Sequence, residues 1–424
     1  MTQLSDCCFS PDQQLMELSR ALEIMAERVT RVTDDEALPL TACLGRILSQ
    51  DLLAKLDVPQ YDNSAVDGYA VFFADLKDDE PPRLPLRGRA SAGHPLKQAA
   101  LPGATVRIFT GAALPAGPDT VFMQEDASLE TDPQSGETFV VFPPGIKQGA
   151  NCRRRGEDTK VNDPVLPAGR RLRAQDIGLA AASGYQSLTV SRPLKVALFS
   201  TGDELRNPGE ALELGELYDS NRFTSTALLT GLGCQVTDLG ILEDKLEVVQ
   251  DALARAAKDH DLIITSGGVS VGEEDHVKPA VESQGSLHFW RRAVKPGRPL
   301  ALGQIGRVPF VGLPGNPVAV MVTFLNVVRP MILRLMGGGE TEPKHYPLPL
   351  AFDFDKKPGR LEWLRVHLVY DDQGQPSLQK FPHQGSSILS SLVNSDGLAV
   401  LAKDAAALKK GEKVDYLPFS ELLK

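Results

Sequence analysis

Residues 194–205 read LKVALFSTGDEL. The first seven are almost all apolar, and so short and continuous a run reads as a strand buried on both faces. The same grammar repeats downstream. A helical stretch covers 220–232, with Gly231 and Gly233 near its end, and a second strand covers 235–242. A helix at 244–258, a strand at 261–265 and the loop SGGVSVGEED come next. After Trp290, the short run PFVG leads through LPGNP into an apolar helix. Buried strands alternating with helices specify a parallel α/β sheet wound on both faces. In such sheets ligands sit at the carboxyl ends of the strands, where these Gly-rich loops fall.

Outward from this unit the texture changes. From about residue 34 to 189, Gly and Pro punctuate short apolar runs at 69–73, 105–109, 120–123 and 138–142, which predicts β-rich structure in two small domains. Ahead of them, Ser10, Pro11 and Gln13 form a helix-start signal. Leu15, Leu18, Leu22, Met25, Val29 and Val32 then recur at helical spacing, so one helix with a single buried stripe is expected over 11–32. Downstream, Gly337, Gly338 and Gly339 read as a linker, and the tail is again short-stranded and rich in turns. The 37 glycines and 31 prolines exceed the usual share of roughly 12%, and their even spread indicates many tight turns.

At 424 residues the chain is long enough for about three domains. It carries 55 acidic against 45 basic side chains, a formal charge of −10. That balance, without any dense Lys/Arg block, excludes a footprint for nucleic acid or an anionic membrane surface. An anionic substrate would have to be held by a local site. Cys7, Cys8, Cys43, Cys152 and Cys234 are scattered and odd in number, which suits the reducing cytoplasm. The first residues show no secretory leader pattern. The apolar stretch 318–335 is interrupted by Asn326, Arg329, Pro330 and Arg334, and reads as a poor membrane span.

Several loops carry chemistry. In TSGGVSVGEED (265–275), Gly267, Gly268 and Gly272 leave backbone N–H groups uncovered, and Ser266 and Ser270 add hydroxyls. Together they suit an oxyanion or phosphate. The acids Glu273, Glu274 and Asp275 follow at once and would repel that anion unless a divalent cation lies between. A plain strand-to-helix turn with an acidic helix start accounts for the same residues. In Leu313-Pro314-Gly315-Asn316-Pro317, Asn316 as cap and Pro317 at the first helical position also suffice structurally. Thr201 to Leu205, with Asp203 and Glu204, and Lys295-Pro296-Gly297-Arg298 complete the set. Each reads alone as a turn; several polar loops on one sheet edge favour a site. Farther upstream, Asp67-Gly68 reads as a hairpin turn, and Arg153, Arg154 and Arg155 make a local basic cluster beside Glu157 and Asp158. The seven histidines show no metal-ligand spacing, and no GxSxG, Walker-A or GxGxxG pattern occurs.

Taken together these segments resemble the molybdopterin molybdenumtransferase family, known as MoeA and as the E domain of gephyrin. The matching pieces are DVPQYDNSAVDGYAV, TGAALPAGPDTVFMQED, RRRGED, FSTGDEL, YDSNR, TSGGVSVGEEDH, KPGRP, GLPGNPVAV, GRLEW and HQGSS, in the family's order over 57–387. The resemblance implies a multidomain α/β plus β chain. Its expected parts are a linking β-rich domain (33–57 and 149–191), a small β-rich domain (58–148), a MogA-like doubly wound α/β domain (192–337) and a C-terminal β-barrel-like domain (338–424). The N-terminal helix would pack on the α/β or the linking domain.

The resemblance further implies Mg²⁺-dependent insertion of molybdenum from molybdate into adenylylated molybdopterin, with release of AMP. It implies a cytoplasmic homodimer whose cleft lies where two subunits meet. The adenylyltransferase that makes the substrate and the acceptor molybdoenzymes are its expected partners. Carried over by position, Asp67, Glu204, Asp244 and Asp275 are the functional acids, with Glu204, Asp244 and Asp275 near the metal. Asp244 also fits an ordinary helix cap. Ser266, Gly267, Gly268, Ser270, Gly272, Lys295, Arg298, Pro314, Gly315, Asn316, Asn221 and Arg222 are expected at the substrate, together with Arg153, Arg154, Arg155 and Asp158. The chain departs from the family at Lys245, where a second acid is common, at Arg291, where a lysine often lies, and at His276, which replaces a frequent aromatic. A lone adenylyltransferase is disfavoured by DNSAVDGYA and the surrounding β domains, and a pure scaffold by the intact acidic set.

Overall fold

Along the Lys195–Thr201 strand the side chains alternate between two cores. Val196 and Leu198 join one buried cluster, and Ala197 and Phe199 the other, which is why the run is apolar at every position. In this computed structural model, residues 18–77, 80–268, 276–291, 294–297, 299–339 and 341–423 are described. The Lys195–Thr201 strand is second in a six-stranded sheet, ordered Gln235–Leu242, Lys195–Thr201, Leu262–Ser266, Val308–Leu313, Pro299–Ile305, Gly285–Arg291. The first four strands are parallel. Helices Ser220–Gly231 and Pro317–Leu335 share the first core, and Leu246–Asp259 and Val277–Glu282 share the second.

The expected α/β unit is therefore present, with one difference. Pro299–Ile305 runs antiparallel to both Val308–Leu313 and Gly285–Arg291, so the sheet is mixed at that edge. The run PLALGQI looks unlike a strand because it holds a proline and a glycine. Pro299, however, takes the first strand position, where a missing N–H costs little. The Pro317–Leu335 segment is one core helix, 83% buried over its most apolar window. A π turn at Phe324–Val328 widens it just ahead of Pro330, whose nitrogen cannot donate to the preceding turn.

The N-terminal helix is Leu18–Arg28, shorter at its end than the expected 32. Val32 leaves the helical path because its N–H donates to Leu335 O (2.9 Å), the last turn of the long core helix. Met25 and Val29 bury into the α/β core. The expected start at 11–17 lies outside the described residues.

Before the α/β unit, Asp35–Pro39 pairs with Ser187–Ser191 and Leu52–Leu53 with Pro164–Leu166. Leu48, Leu52, Leu166, Leu172, Leu188 and Val190 form the core between them. The chain between these pairs folds into a second six-stranded sheet, built from Gly68–Val71, Arg83–Ala90, Thr105–Ile108, Thr120–Met123, Ser128–Thr131 and Thr138–Val141. After it, Leu361–Tyr370 pairs with Pro376–Lys380 and Gly397–Leu401, which continues to Lys413–Pro418 and Tyr346–Pro349. A bridge from Leu350 to Leu378 closes the ring, so the C-terminal β domain is a small barrel around Leu364, Val366, Leu378 and Ala399. Val294–Lys295 adds a parallel strand to its rim and ties it to the α/β domain.

Candidate active-site cleft

A cleft of about 1030 Å³ opens at the carboxyl ends of the parallel strands. Thr201, Gly202 and Glu204 follow the Lys195–Thr201 strand, and Asp244 follows Gln235–Leu242. Ser266, Gly267 and Gly268 end the Leu262–Ser266 strand, and Pro314, Gly315 and Asn316 come after Val308–Leu313. Asn221 also lines it. The facing wall carries Lys295, Arg360, Gln384, Gly385, Ser386 and Ser387. Sequence-distant loops thus meet on one edge because parallel strands all deliver their carboxyl ends to the same side.

The loops are locked to one another. Asn221 Nδ2 donates to Gly315 O (2.6 Å), and Gly267 N–H to Leu313 O (3.3 Å). Val318 N–H, at the start of the core helix, donates to Ser386 O on the facing wall (3.0 Å). Gly267 adopts φ +87°, and a Cβ there would lie 2.7 Å from Thr201 O, so neighbouring strand ends approach as closely as they do only with glycine. Gly202, at φ +147°, leaves room for the Glu204 carboxylate, which would stand 2.5 Å from a Cβ.

Two residues with ordinary structural explanations do not perform those structural tasks. Asp244 caps no helix: the following helix starts at Leu246 with Lys245 at its cap position and no side-chain cap. The buried Asp244 Oδ1 has no hydrogen-bond partner among the described residues. Asn316 does occupy the cap position of the Pro317 helix, yet its side chain makes no cap bond. Its carbonyl accepts from Val320 N–H (2.9 Å), leaving the amide to the cleft. Leaving such groups unused costs stability, and ligand binding is what would recover it.

Other expected site residues lie elsewhere. Pairing of Cys152–Arg153 with Asn63–Ser64 brings the RRRGED and DNSAVDGYA segments together as a second group, which does not line the cleft of its own chain. There Asp67 accepts from Thr110 N–H (2.8 Å) and Thr110 Oγ1 (2.7 Å). These bonds, the backbone one foremost, hold its carboxyl below the usual carboxylate range. Arg154 pairs with Asp62 (2.8 Å) and Arg155 with Asp57 (2.5 Å), while Arg153 and Asp158 are exposed. Arg222, expected at the substrate, is instead a buried structural cation: it binds Asp219 (3.1 Å), Asp238 (2.5 Å) and Asn207 (2.5 Å). It secures the start of the Ser220–Gly231 helix. Ser270, Gly272, Asp275 and Arg298 lie outside the described residues.

The sequence reading passed over Arg360 and the 384–387 segment as site residues. Their signal was present in GRLEW and HQGSS, but neither has a Gly-rich strand-end pattern. Only the folded chain sets the C-terminal domain against the strand ends.

Family models match along the whole length. The MoeA N-terminal region (domain I and II) matches residues 16–184, the probable molybdopterin binding domain 197–334, and the MoeA C-terminal region (domain IV) 347–419. Fold and cleft thus define a multidomain protein with a central molybdopterin-binding-type α/β domain between N-terminal β-rich domains and a C-terminal β domain. A molybdopterin molybdenumtransferase from Haemophilus influenzae is 39% identical over 410 residues, 96% of this chain and 100% of the relative. One from a Nostoc species is 32% identical over 420 residues, 96% and 94% of the two chains. A solved molybdopterin biosynthesis MoeA protein from Pyrococcus horikoshii OT3 superposes with a TM-score of 0.80 at 26% identity, covering 95% of this chain and all of that one. The chain belongs to the MoeA family of molybdopterin molybdenumtransferases, transferases of molybdenum cofactor biosynthesis.

Proposed function

We propose that this protein inserts molybdenum from molybdate into adenylylated molybdopterin, releasing AMP, and that it does so as a homodimer with Mg²⁺. The observation that carries the reading is the partnerless Asp244 Oδ1 in a cleft that also presents Glu204, the Gly268 backbone and a lysine. Mg²⁺ keeps several waters and takes one or two carboxylates plus substrate phosphates. Glu204 and Asp244 would hold it, with Asp275 as the third acid expected from the family motif. When bound, it supplies positive charge to the pyrophosphate bridge and its leaving AMP.

The chain's own groups account for the remaining tasks. The backbone amide at Gly268 and the Ser266 hydroxyl offer donors for phosphate or oxyanion oxygens. Lys295 and Arg360 bring cations to the same space from the opposite wall. The Asn316 amide, unused as a cap, is available to orient the substrate.

Asp67 with Arg153, Arg154, Arg155 and Asp158 would complete the partner subunit's cleft; what supports this is that they gather as one group away from the cleft of their own chain. Strand pairing supports a linking domain over 33–57 and 149–191, a small domain at 58–148, an α/β domain at 192–337 and a barrel at 338–424. Free thiols at Cys43, Cys152 and Cys234 suit a reducing cytoplasm, where adenylyltransferase and acceptor molybdoenzymes would be its partners.

The test is AMP release by the purified protein given Mg²⁺, molybdate and adenylylated molybdopterin. Binding of the substrate without AMP release would defeat the transferase reading. Formation of adenylylated molybdopterin from ATP and molybdopterin would show an adenylyltransferase instead.

A further inference from the structure

We infer that Arg365 is a positioning residue of the cleft, its buried guanidinium fixing the 384–387 wall in the place where substrate must meet it. The inference rests on the reading above, that this cleft takes the adenylylated substrate.

Arg365 stands on the Leu361–Tyr370 strand, where side chains alternate in direction. Leu364 and Val366 point into the barrel core, whereas Trp363 joins the α/β core. Arg365 shares Trp363's parity and is fully buried. Its Nε donates to Ser391 Oγ (3.0 Å) and its Nη2 to Gly385 O (3.0 Å). The backbone repeats the clasp: Arg365 N–H donates to Gln384 Oε1 (3.0 Å), and Gln384 Nε2 donates to Arg365 O (2.9 Å). The next carbonyl along, Ser386 O, accepts from Val318 N–H. Two hydrogen bonds on adjacent carbonyls, Gly385 O and Ser386 O, therefore tie the cleft wall to Arg365 on one side and to the first turn of the core helix beside Asn316 on the other.

The bonded partners of this cation are neutral oxygens. Burial pushes its guanidinium down to about 10, with the Glu362 carboxylate acting the other way through space. A buried cation without a contacting carboxylate is a costly way to brace a loop, and an apolar side chain would pack there more cheaply. What only an arginine supplies is a planar fork that reaches two acceptors at once. It also places a fixed positive charge behind a wall that faces phosphates. Arg365 touches no substrate in this arrangement; it acts through Gly385 and its neighbours.

The experiment compares wild type with Arg365→Lys, Arg365→Met and Ser391→Ala. It reads steady-state AMP release, calorimetric affinity for AMP, and thermal unfolding. In Arg365→Lys and Arg365→Met, KM for adenylylated molybdopterin and Kd for AMP should rise tenfold or more while kcat changes less than threefold. Ser391→Ala, which removes one of the two side-chain contacts, should show a smaller rise of the same kind, with a melting point lowered by a few degrees because Arg365 Nε loses its buried acceptor. Folded variants with wild-type KM and AMP affinity overturn the inference. Should both Arg365 variants fail to fold, Ser391→Ala decides by the same criterion. A wild-type protein that releases no AMP would instead count against the functional reading itself.

Discussion

Lys295 Nζ lies 2.7 Å from Glu362 Oε1, so the cleft-lining cation of one wall is held by an acid of the barrel. The lysine side chain is 55% exposed and the glutamate 8%. Their strands are paired in parallel at this point, Lys295 opposite Glu362, which keeps the ammonium at the cleft. The carboxylate also offsets part of the charge that an anion would feel.

Neutralising Glu362 should strengthen anion binding while loosening the aim of Lys295. In Glu362→Gln, AMP is expected to bind about two- to fivefold more tightly at low salt, with kcat reduced. The gain should vanish at about 0.5 M salt, where exposed charges are screened. Calorimetry at two ionic strengths checks this. An unchanged or weaker AMP affinity at low salt would show that Lys295 does not face the anion.

Stability at acid pH turns on Asp176, buried at the start of the Ala174–Ala182 helix. Burial opposes its charge. Bonds from the Arg173 and Arg170 side chains (3.1 and 2.9 Å) and from Arg173 N–H (2.9 Å) outweigh that effect and hold its pKa at about 2. Because the folded value lies below the unfolded one, near 4, the stabilisation is complete above about pH 4 and is lost as pH falls towards 2. Asp176→Asn should therefore cost about 2 kcal/mol at neutral pH. The difference from wild type should shrink across that acid window in urea titrations at several pH values.

Much of this architecture is legible in the sequence because its signals are local. The strand 235–242 is read with its observed bounds, since the Gly231/Gly233 helix end before it and the charged Glu243-Asp244-Lys245 segment after Leu242 mark both limits. The hairpin formed by Gly285–Arg291 and Pro299–Ile305 is not, because Pro299 and Gly303 mask its period. The site divides similarly. Glu204, Ser266 and Asn316 announce themselves at strand ends, whereas Arg360 and Ser386 reach the cleft only through packing of the barrel on the sheet. Arg222 shows the converse error: an arginine in a family motif, read as a substrate contact, is spent on Asp219, Asp238 and Asn207. Charge complementarity inside the fold has no one-dimensional signature.

Asp244 separates a ligand from a helix cap experimentally. A cap replaced by asparagine keeps its bond, because Asn serves as well as Asp there; a metal ligand does not. Asp244→Asn should melt within about 3 °C of wild type yet lose AMP release by about 10²-fold or more. The rise in melting point expected of the wild type with Mg²⁺ and AMP should be absent in this variant. Retained activity in Asp244→Asn, with or without a change in melting point, would overturn its assignment as a metal ligand.

The two separated acid groups give the sharpest test of a shared cleft. Asp67→Asn and Glu204→Gln should each be inactive as purified proteins. If Asp67 serves the partner's cleft, a heterodimer of the two variants pairs intact Glu204 from one chain with intact Asp67 from the other, and so rebuilds one complete cleft. The second cleft of that heterodimer carries both substitutions. Random reassociation of equal amounts makes half the dimers mixed, so about a quarter of wild-type AMP release should return. The measurement is activity after co-refolding or co-expression, with each variant alone as control. Were both groups to act within one chain, every cleft in the mixture would carry a substitution, and mixing would restore nothing.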